Sequence, residues 1–264
     1  MPGLPWLVLP TFNEAENLEA VVAAARRVLA EAAPDGFRVL VVDDESPDGT
    51  GRIADALAVA HPDQVEVLHR ATREGLGAAY LAGFARALDG GATYVFEMDA
   101  DLSHDPADLA RLLGAVRDGD ADLALGSRYV PGGGVADWGK VRRLVSRGGS
   151  WYARRVLGLD VRDLTGGFKC FRAEVLRAID LPSVRSHGYA FQVELTYRAI
   201  RRGFRVVEVP IVFRDRVRGT SKMSFRITAE AALLVPQMRR GAGGVRHPAG
   251  NAQARSSARR RHTG

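Results

Sequence analysis

Along the first 130 residues, apolar runs of strand length alternate with stretches whose apolar positions recur at helical spacing. "WLVLP" at 6–10 is a candidate first strand, and an amphipathic stretch from Glu14 to about Ala33 follows it. "FRVLVVDD" (37–44) and "TGRIADALAVA" (50–60) repeat the pair. "VEVLHR", "GAAYLAGFARALDG", "ATYVFEMD", "DPADLARLLGAVRDG" and "ADLALGSRY" continue it as strand, helix, strand, helix, strand. Strands alternating with helices join through right-handed crossovers, so the pattern predicts a doubly wound α/β unit with a mostly parallel sheet covered on both faces.

The second half is less regular. A Gly-rich loop, "VPGGGVADWG", precedes a basic helix expected over Lys140–Leu157, and "DLTGGFKCFRAEVL" reads as a turn leading into a strand and a helix. A helix from about Tyr189 to Arg202 and a strand "FRVVEVPIVF" (204–213) follow. The polar loop "RDRVRGTSKMSF" leads into an amphipathic helix from about Met223 to Arg240. Residues 241–264, rich in Gly, Ala, Arg and Ser, lack a core pattern and are expected to be disordered. The expected organisation is a catalytic unit over 1–222, an amphipathic, interfacial helix over 223–240, and a basic tail over 241–264.

Composition changes this picture little. With 46% apolar residues in 264 the chain can fill a sizeable core. The formal charge of +6 would invite a nucleic-acid reading, but seven arginines and no acid follow from Arg239 onward, and the body without them is nearly balanced. One cysteine, Cys170, makes no internal disulfide and suits a reducing setting. "MPGLPWLVLPTFNE" does not read as a signal peptide, and the apolar run "AALLVPQM" falls far short of the roughly 20 residues that span a bilayer.

In doubly wound sheets, ligands bind beyond the carboxyl ends of the strands. Pro10 to Glu14, Asp43 and Asp44, Asp99 and Asp101, and Gly126 to Arg128 all follow expected strands, so they fall on one edge. Asp99 and Asp101, one residue apart, place two anions in one crevice, which is unfavourable unless a cation sits between them. Mg²⁺ or Mn²⁺ takes oxygen ligands and leaves positions for phosphate oxygens, which suits a nucleoside diphosphate. The alternative is helix capping by Ser103 or Asp105, which does not account for Asp99 and Asp101.

"LVLPTFNEAENL", "VVDDESPDGT", "EGLGAAYLAGFARA" and "MDADLSHDP", in this order, resemble the inverting family 2 glycosyltransferases. "GSRYVPGGGVADWGKVRRLVSRGGSWYAR", "DLTGGFKCFR", "GYAFQVELTYRA" and "VPIVFRDRVRGTSKM" narrow the resemblance to the polyprenol (dolichol) phosphate mannosyltransferases, over about Leu4 to Met238. It resembles the short form without transmembrane helices. The resemblance implies a Rossmann-like nucleotide-diphospho-sugar transferase domain, with transfer of mannose from GDP-mannose to a polyprenyl phosphate and inversion at the sugar.

Residue by residue, the resemblance implies that Pro10, Phe12, Glu14, Val41 and Asp43 hold the guanosine. Phe12 stands where the family usually has tyrosine. Asp99, Ala100 and Asp101 match the metal and diphosphate motif, and Ser103 replaces a common glutamine. Arg128, Arg142 and Ser146 match residues that hold the acceptor phosphate, with Asp101, Arg128 and Arg142 central to catalysis; the alternative for Arg142 is one solvated arginine among several. Arg216 and Lys222 match a mobile loop over the donor diphosphate, and Arg128 is also among the implied donor-binding residues. Glu194 is open between orienting the lipid phosphate and a structural salt bridge. A phosphate monoester is already ionised, so no histidine base is needed, and His104 and His187 are expected to be structural or solvent-facing.

An isoprenoid acceptor keeps its tail in lipid, so the expected location is peripheral, on the cytoplasmic face of a membrane. Met223, Ile227, Ala231, Leu234, Val235 and Met238 form one apolar face at helical spacing, which could lie in the interface or pack on the catalytic unit. The tail could bind anionic lipid, act as a solubilising end, or be complemented by a membrane-protein anchor. The rivals are transfer of glucose or N-acetylglucosamine and, from another class, a basic nucleic-acid-binding protein, for which unopposed charge confined to the tail is poor support.

Overall fold

The computed structural model of the protein describes residues 3–136, 138–184, 186, 188–215 and 234–239, and only the backbone of residues 140 and 141. The elements are β1 (Pro5–Thr11), α1 (Leu18–Ala32), β2 (Arg38–Asp43), α2 (Thr50–Ala60), β3 (Val65–His69), α3 (Leu76–Asp89), β4 (Tyr94–Glu97), α4 (Asp108–Arg117) and β5 (Leu123–Ser127). There follow β6 (Gly134–Val135), α5 (Lys140–Leu157), β7 (Lys169–Arg172), α6 (Ala173–Ala178), a 3₁₀ turn (Leu181–Ser183), α7 (Gly188–Arg201), β8 (Val206–Pro210) and β9 (Val212–Phe213).

Seven strands form one sheet in the order β3-β2-β1-β4-β7-β5-β8. All neighbours are parallel except β7, which runs antiparallel between β4 and β5. The sheet is thus mostly parallel, as the alternating pattern predicts, while the direction of "KCFR" is not contained in that pattern. The strands are buried on both faces, and period-two alternation sorts their side chains. Leu7, Leu9, Val39, Val41 and Phe96 pack with α1, α2 and α4. Trp6, Val8, Leu40, Val42, Val95 and Phe171 pack with α3, α6 and α7. Each side chain so buried stabilises the fold by roughly 1.5–3 kcal/mol. Close packing of α3 on the sheet needs a glycine: a Cβ at Gly83 would lie 2.4 Å from Val8 Cγ1.

Three boundaries differ from the expected ones. α1 begins at Leu18 rather than Glu14, because the Glu14 amide donates to Thr50 Oγ1 across the strand ends (2.9 Å) and residues 14–17 form a turn. The strand expected over 204–213 divides at Ile211: β8 pairs with β5, and β9 leaves to pair with β6 in a small second sheet. Of the helix expected over 223–240, residues 234–239 are described and helical, with Val235 buried against α5 and α7 and Met238 packed beside it. Met223, Ile227, Ala231, Arg240 and the tail lie outside the described residues.

Candidate active site

The carboxyl ends of β1, β2, β4 and β5 gather the expected site residues on one edge. At the first two, Asp43 is buried and ties the loops together. Its Oδ1 accepts from Thr11 Oγ1 (3.1 Å) and Ser46 Oγ (2.6 Å), and its Oδ2 from the Ser46 amide (3.1 Å). A carboxylate has about four lone-pair sites, so this leaves about one. Asp48 accepts from Thr50 Oγ1 (2.6 Å), the Thr50 amide and the Ala15 amide; burial works against its ionised form, but these bonds outweigh it and lower its pKa. Asp44 is held by Arg70 at 2.5 Å, yet burial leaves its pKa raised. Asn13, in a left-handed conformation (φ 58°), turns the chain away from β1. Phe12 lies half-buried with the Arg73 guanidinium 3.8 Å from its ring centre. Glu14 Oε2 accepts from Asn17 Nδ2 (3.0 Å). Pro10 and Val41 lie within β1 and β2 with buried side chains, Val41 in the hydrophobic core.

Past β4, Asp99 Oδ1 accepts from the Tyr80 hydroxyl (3.2 Å), and Asp101 Oδ1 from the Ser103 amide (3.0 Å). Burial, with Asp99 and Glu97 nearby, keeps the Tyr80 hydroxyl protonated well beyond its usual range. Leu102, at φ 60°, makes the turn between Asp101 and Ser103, a conformation disfavoured by roughly 1–2 kcal/mol for an L-residue. Ala100 is buried; Ser103 is fully buried, and its Oγ has no hydrogen-bond partner among the described residues. His104 is 3% exposed and packs between Phe168 and Phe213; burial lowers its pKa to about 4, so it is neutral and structural at pH 7. His187 lies outside the described residues.

Past β5, Arg128 is almost wholly buried. Its Nε and Nη2 donate to Asp163 Oδ2 and Oδ1, both at 2.7 Å, its amide donates to Oδ2 (2.9 Å), and Nη2 also reaches Thr165 Oγ1 (2.9 Å). Burial opposes its charge, but Asp163 more than compensates and its pKa is raised. Asp163 is itself fixed, its amide donating to Glu208 Oε1 (3.0 Å). Arg142 pairs with Asp215 (2.8 Å) and lies 4.2 Å over the Trp138 ring, a ring that Arg128 approaches at 5.6 Å. Ser146 Oγ accepts from the Tyr129 hydroxyl (2.7 Å). Arg128, Arg142 and Ser146 are therefore brought together through Trp138 and Tyr129. Glu194 is engaged by Arg198 (2.5 Å) and the Ser186 amide (3.2 Å). Arg216 and Lys222 lie outside the described residues.

Sequence reasoning missed Tyr80, Tyr129, Trp138, Asp163 and Thr165. Asp163 and Thr165 stand in "DLTGGF", a stretch singled out for its turn; a lone acid before a Gly-Gly pair was their signal. The edge thus divides by charge, with carboxylates past β2 and β4 and paired arginines past β5 and on α5.

Carboxylates and arginines at the strand ends of a doubly wound sheet form a ligand-binding edge, and the family to which the chain belongs makes it the edge of a glycosyltransferase. The chain belongs to glycosyl transferase family 2, whose model matches residues 6–180. It is 50% identical over 231 residues to a polyprenol monophosphomannose synthase of Mycolicibacterium smegmatis, covering 88% of this chain and 85% of that one. It is also 50% identical over 228 residues to an undecaprenyl-phosphate mannosyltransferase of Micrococcus luteus, covering 86% and 90%. Among solved structures, glucosyl-3-phosphoglycerate synthase from Mycobacterium tuberculosis, in complex with Mn²⁺, UDP and glucosyl-3-phosphoglycerate, matches with a TM-score of 0.64 at 21% identity, over 93% of this chain and 82% of that one. That likeness establishes the fold. No described helix is long and apolar enough to cross a membrane.

Proposed function

We propose that the protein transfers mannose from GDP-mannose to a polyprenyl phosphate, with inversion, giving polyprenyl-phosphate mannose and GDP. The observation that carries this reading is the charge-divided edge, a carboxylate pair past β4 beside two arginines that share Trp138; the names of the two relatives at 50% identity support the acceptor and the sugar.

Asp99 and Asp101 would hold Mg²⁺ or Mn²⁺. The residues fit such an ion: the carboxylates are hard oxygen donors, and the buried Ser103 Oγ beside Asp101 lacks a partner among the described residues. Among the described residues no group of three His, Cys, Asp or Glu side chains could hold a metal, so diphosphate oxygens would have to complete the shell begun by the two carboxylates. When bound, the ion would offset the charge that builds on the departing diphosphate. Pro10, Phe12, Glu14, Val41 and Asp43 would receive the guanosine. Asp43 keeps about one acceptor site for a ribose hydroxyl, and Phe12 offers a ring face backed by Arg73. Ala100 would bring its backbone to the diphosphate, and Arg216 and Lys222 would close over it.

Arg142 and Ser146 would orient the acceptor phosphate, and Arg128, locked by Asp163, would present a fixed positive field to it rather than a swinging side chain. The phosphate monoester is ionised at neutral pH, so it attacks without a general base. Positioning then carries much of the rate. The reaction would take place at the cytoplasmic face of a membrane, with the protein held peripherally. α5 supports this location more directly than the tail: Leu144 (73% exposed) and Trp151 (63%) stand on its surface among Arg143, Arg147 and Arg155. Basic charge is therefore present on the folded surface as well as beyond Arg239.

The test is transfer of labelled mannose from GDP-mannose to a short polyprenyl phosphate with Mg²⁺ or Mn²⁺, comparing the protein with Asp101→Ala. Lipid-linked mannose from the first and a loss of at least 100-fold in the second is the expected result. Turnover of another nucleotide sugar in place of GDP-mannose would overturn the donor, and no transfer from any donor would overturn the reading.

A further inference from the structure

Glu97 and Lys169 face each other across the antiparallel β4–β7 pair and are both fully buried, joined at 2.7 Å. Two residues beyond this pair, just past the end of β4 and just before the start of β7, Asp99 and Gly167 come close to one another. Gly167 leaves a notch there. A Cβ at that position would lie 3.2 Å from Gln192 Nε2 and 3.9 Å from Asp99 Oδ2, so the carboxamide and the carboxylate form two walls of one small space.

The orientation of Gln192 is fixed by Lys169. An ammonium has three donors and no acceptor, and the three described acceptors of Nζ are Glu97 Oε1, the Gln192 carbonyl oxygen and Gln192 Oε1. The oxygen of the carboxamide must therefore face Lys169, which sends Nε2 toward the notch. Gln192 is 4% exposed, and the hydrogen bond described for its carboxamide is made by Oε1. Nε2 is thus a donor facing the space beside Asp99, available to a group that accepts from it.

We propose that the notch over Gly167 is a subsite for one hydroxyl of the sugar being transferred, with Gln192 Nε2 donating to the hydroxyl oxygen and Asp99 Oδ2 accepting its proton. A hydroxyl suits walls of this kind because it both accepts and donates. The Glu97–Lys169 pair is then a positioning unit, acting on the sugar only through the carboxamide it orients. This subsite rests on the glycosyltransferase reading of the edge and goes beyond it by assigning residues that read the sugar rather than the nucleotide.

The test compares binding of GDP, GDP-mannose and a series of GDP-deoxymannoses, by calorimetry with Mg²⁺ present, to the wild-type protein, Gln192→Glu and Gly167→Ala. Gln192→Glu keeps an oxygen for Lys169 and replaces the donating nitrogen with a second oxygen. Gly167→Ala fills the notch and is compatible with the backbone, whose φ is not positive. Both variants should keep GDP affinity within twofold and lose at least tenfold in affinity for GDP-mannose. One deoxy donor should bind the wild type at least tenfold more weakly than GDP-mannose and show no such deficit with Gln192→Glu. Equal losses for GDP and GDP-mannose would overturn the subsite, since the effect would then reach the diphosphate, as would no loss in either variant. If the wild type binds only another nucleotide sugar, the choice of mannose fails while the subsite is tested in the same way on that sugar. Thermal unfolding of each variant separates misfolding from loss of a contact, and Gly167→Ala stands alone if Gln192→Glu does not fold.

Discussion

Removing Asp163 should destabilise the protein more than any other single polar change near the site. Asp163 is fully buried and Arg128 is 6% exposed, and the carboxylate accepts three hydrogen bonds from Arg128, two from the guanidinium at 2.7 Å and one from its amide at 2.9 Å. In Asp163→Leu the guanidinium keeps only Thr165 as a described partner in a space that excludes water. Breaking a buried pair by deleting one member destabilises by about 3–5 kcal/mol, a large share of the roughly 5–15 kcal/mol that holds a domain folded. The double variant Arg128→Met/Asp163→Leu removes both charges and fills the volume, leaving the amide of residue 128 without its acceptor, an effect of about 1–3 kcal/mol. Urea unfolding of the three proteins checks this: the double variant should recover about half or more of what the single one loses, while sugar transfer stays abolished in both. A single variant within about 1 kcal/mol of wild type, or a double variant no more stable than the single, would refute the view that the pair is a buried unit whose charge is retained for the acceptor rather than for stability.

Tyr80→Phe removes only the hydroxyl that donates to Asp99 Oδ1 and leaves the ring stacked on Phe84 and Phe191; kcat/KM should fall about 5-fold, on the order of 1 kcal/mol, with a lesser change in melting temperature. His104 has a folded-state pKa of about 4, below its unfolded value of about 6.5, so its contribution is fully present above pH 6.5 and is lost as pH falls toward 4, amounting to about 3 kcal/mol. Urea unfolding at several pH values checks this, and His104→Phe should flatten that part of the profile. Gly83→Ala drives a methyl to 2.4 Å from Val8 Cγ1 and should destabilise by about 1–3 kcal/mol in thermal unfolding, with transfer activity intact at low temperature.

The fold was legible where the physics is local. Strand and helix alternation through Ser127 follows from hydrophobic period, and the bounds of α5 are readable because Gly139 and Gly158 flank a basic, apolar repeat that continues across Gly148 and Gly149, Gly158 with a φ of +68°. The antiparallel insertion of β7 was not legible, because periodicity reports burial and not direction. Only the long return through α5 and the turn at 163–167 decides which way "KCFR" enters the sheet. The break at Ile211 was hidden for the same reason: both halves are apolar, and what separates them is the choice of partner strand.

The candidate site was legible as a set of positions and not as a set of interactions. Strand ends identify Asp43, Asp99, Asp101 and Arg128, since the edge of a doubly wound sheet is fixed by topology. Their environments come from partners distant in sequence: Asp163 lies 35 residues from Arg128, and Lys169 lies 72 from Glu97. Such partners change what a residue can do. An arginine matched to a phosphate-holding position is a guanidinium locked in a buried pair, so any force it exerted on an incoming phosphate would depend on Asp163 holding its place rather than on its own reach. A glutamine in an apolar helix pattern, unremarkable in sequence, becomes an oriented donor because a buried lysine can accept nothing. Both cases follow from one rule: a buried charge dictates the orientation of whatever neutralises it, and that orientation decides which atoms remain for substrate.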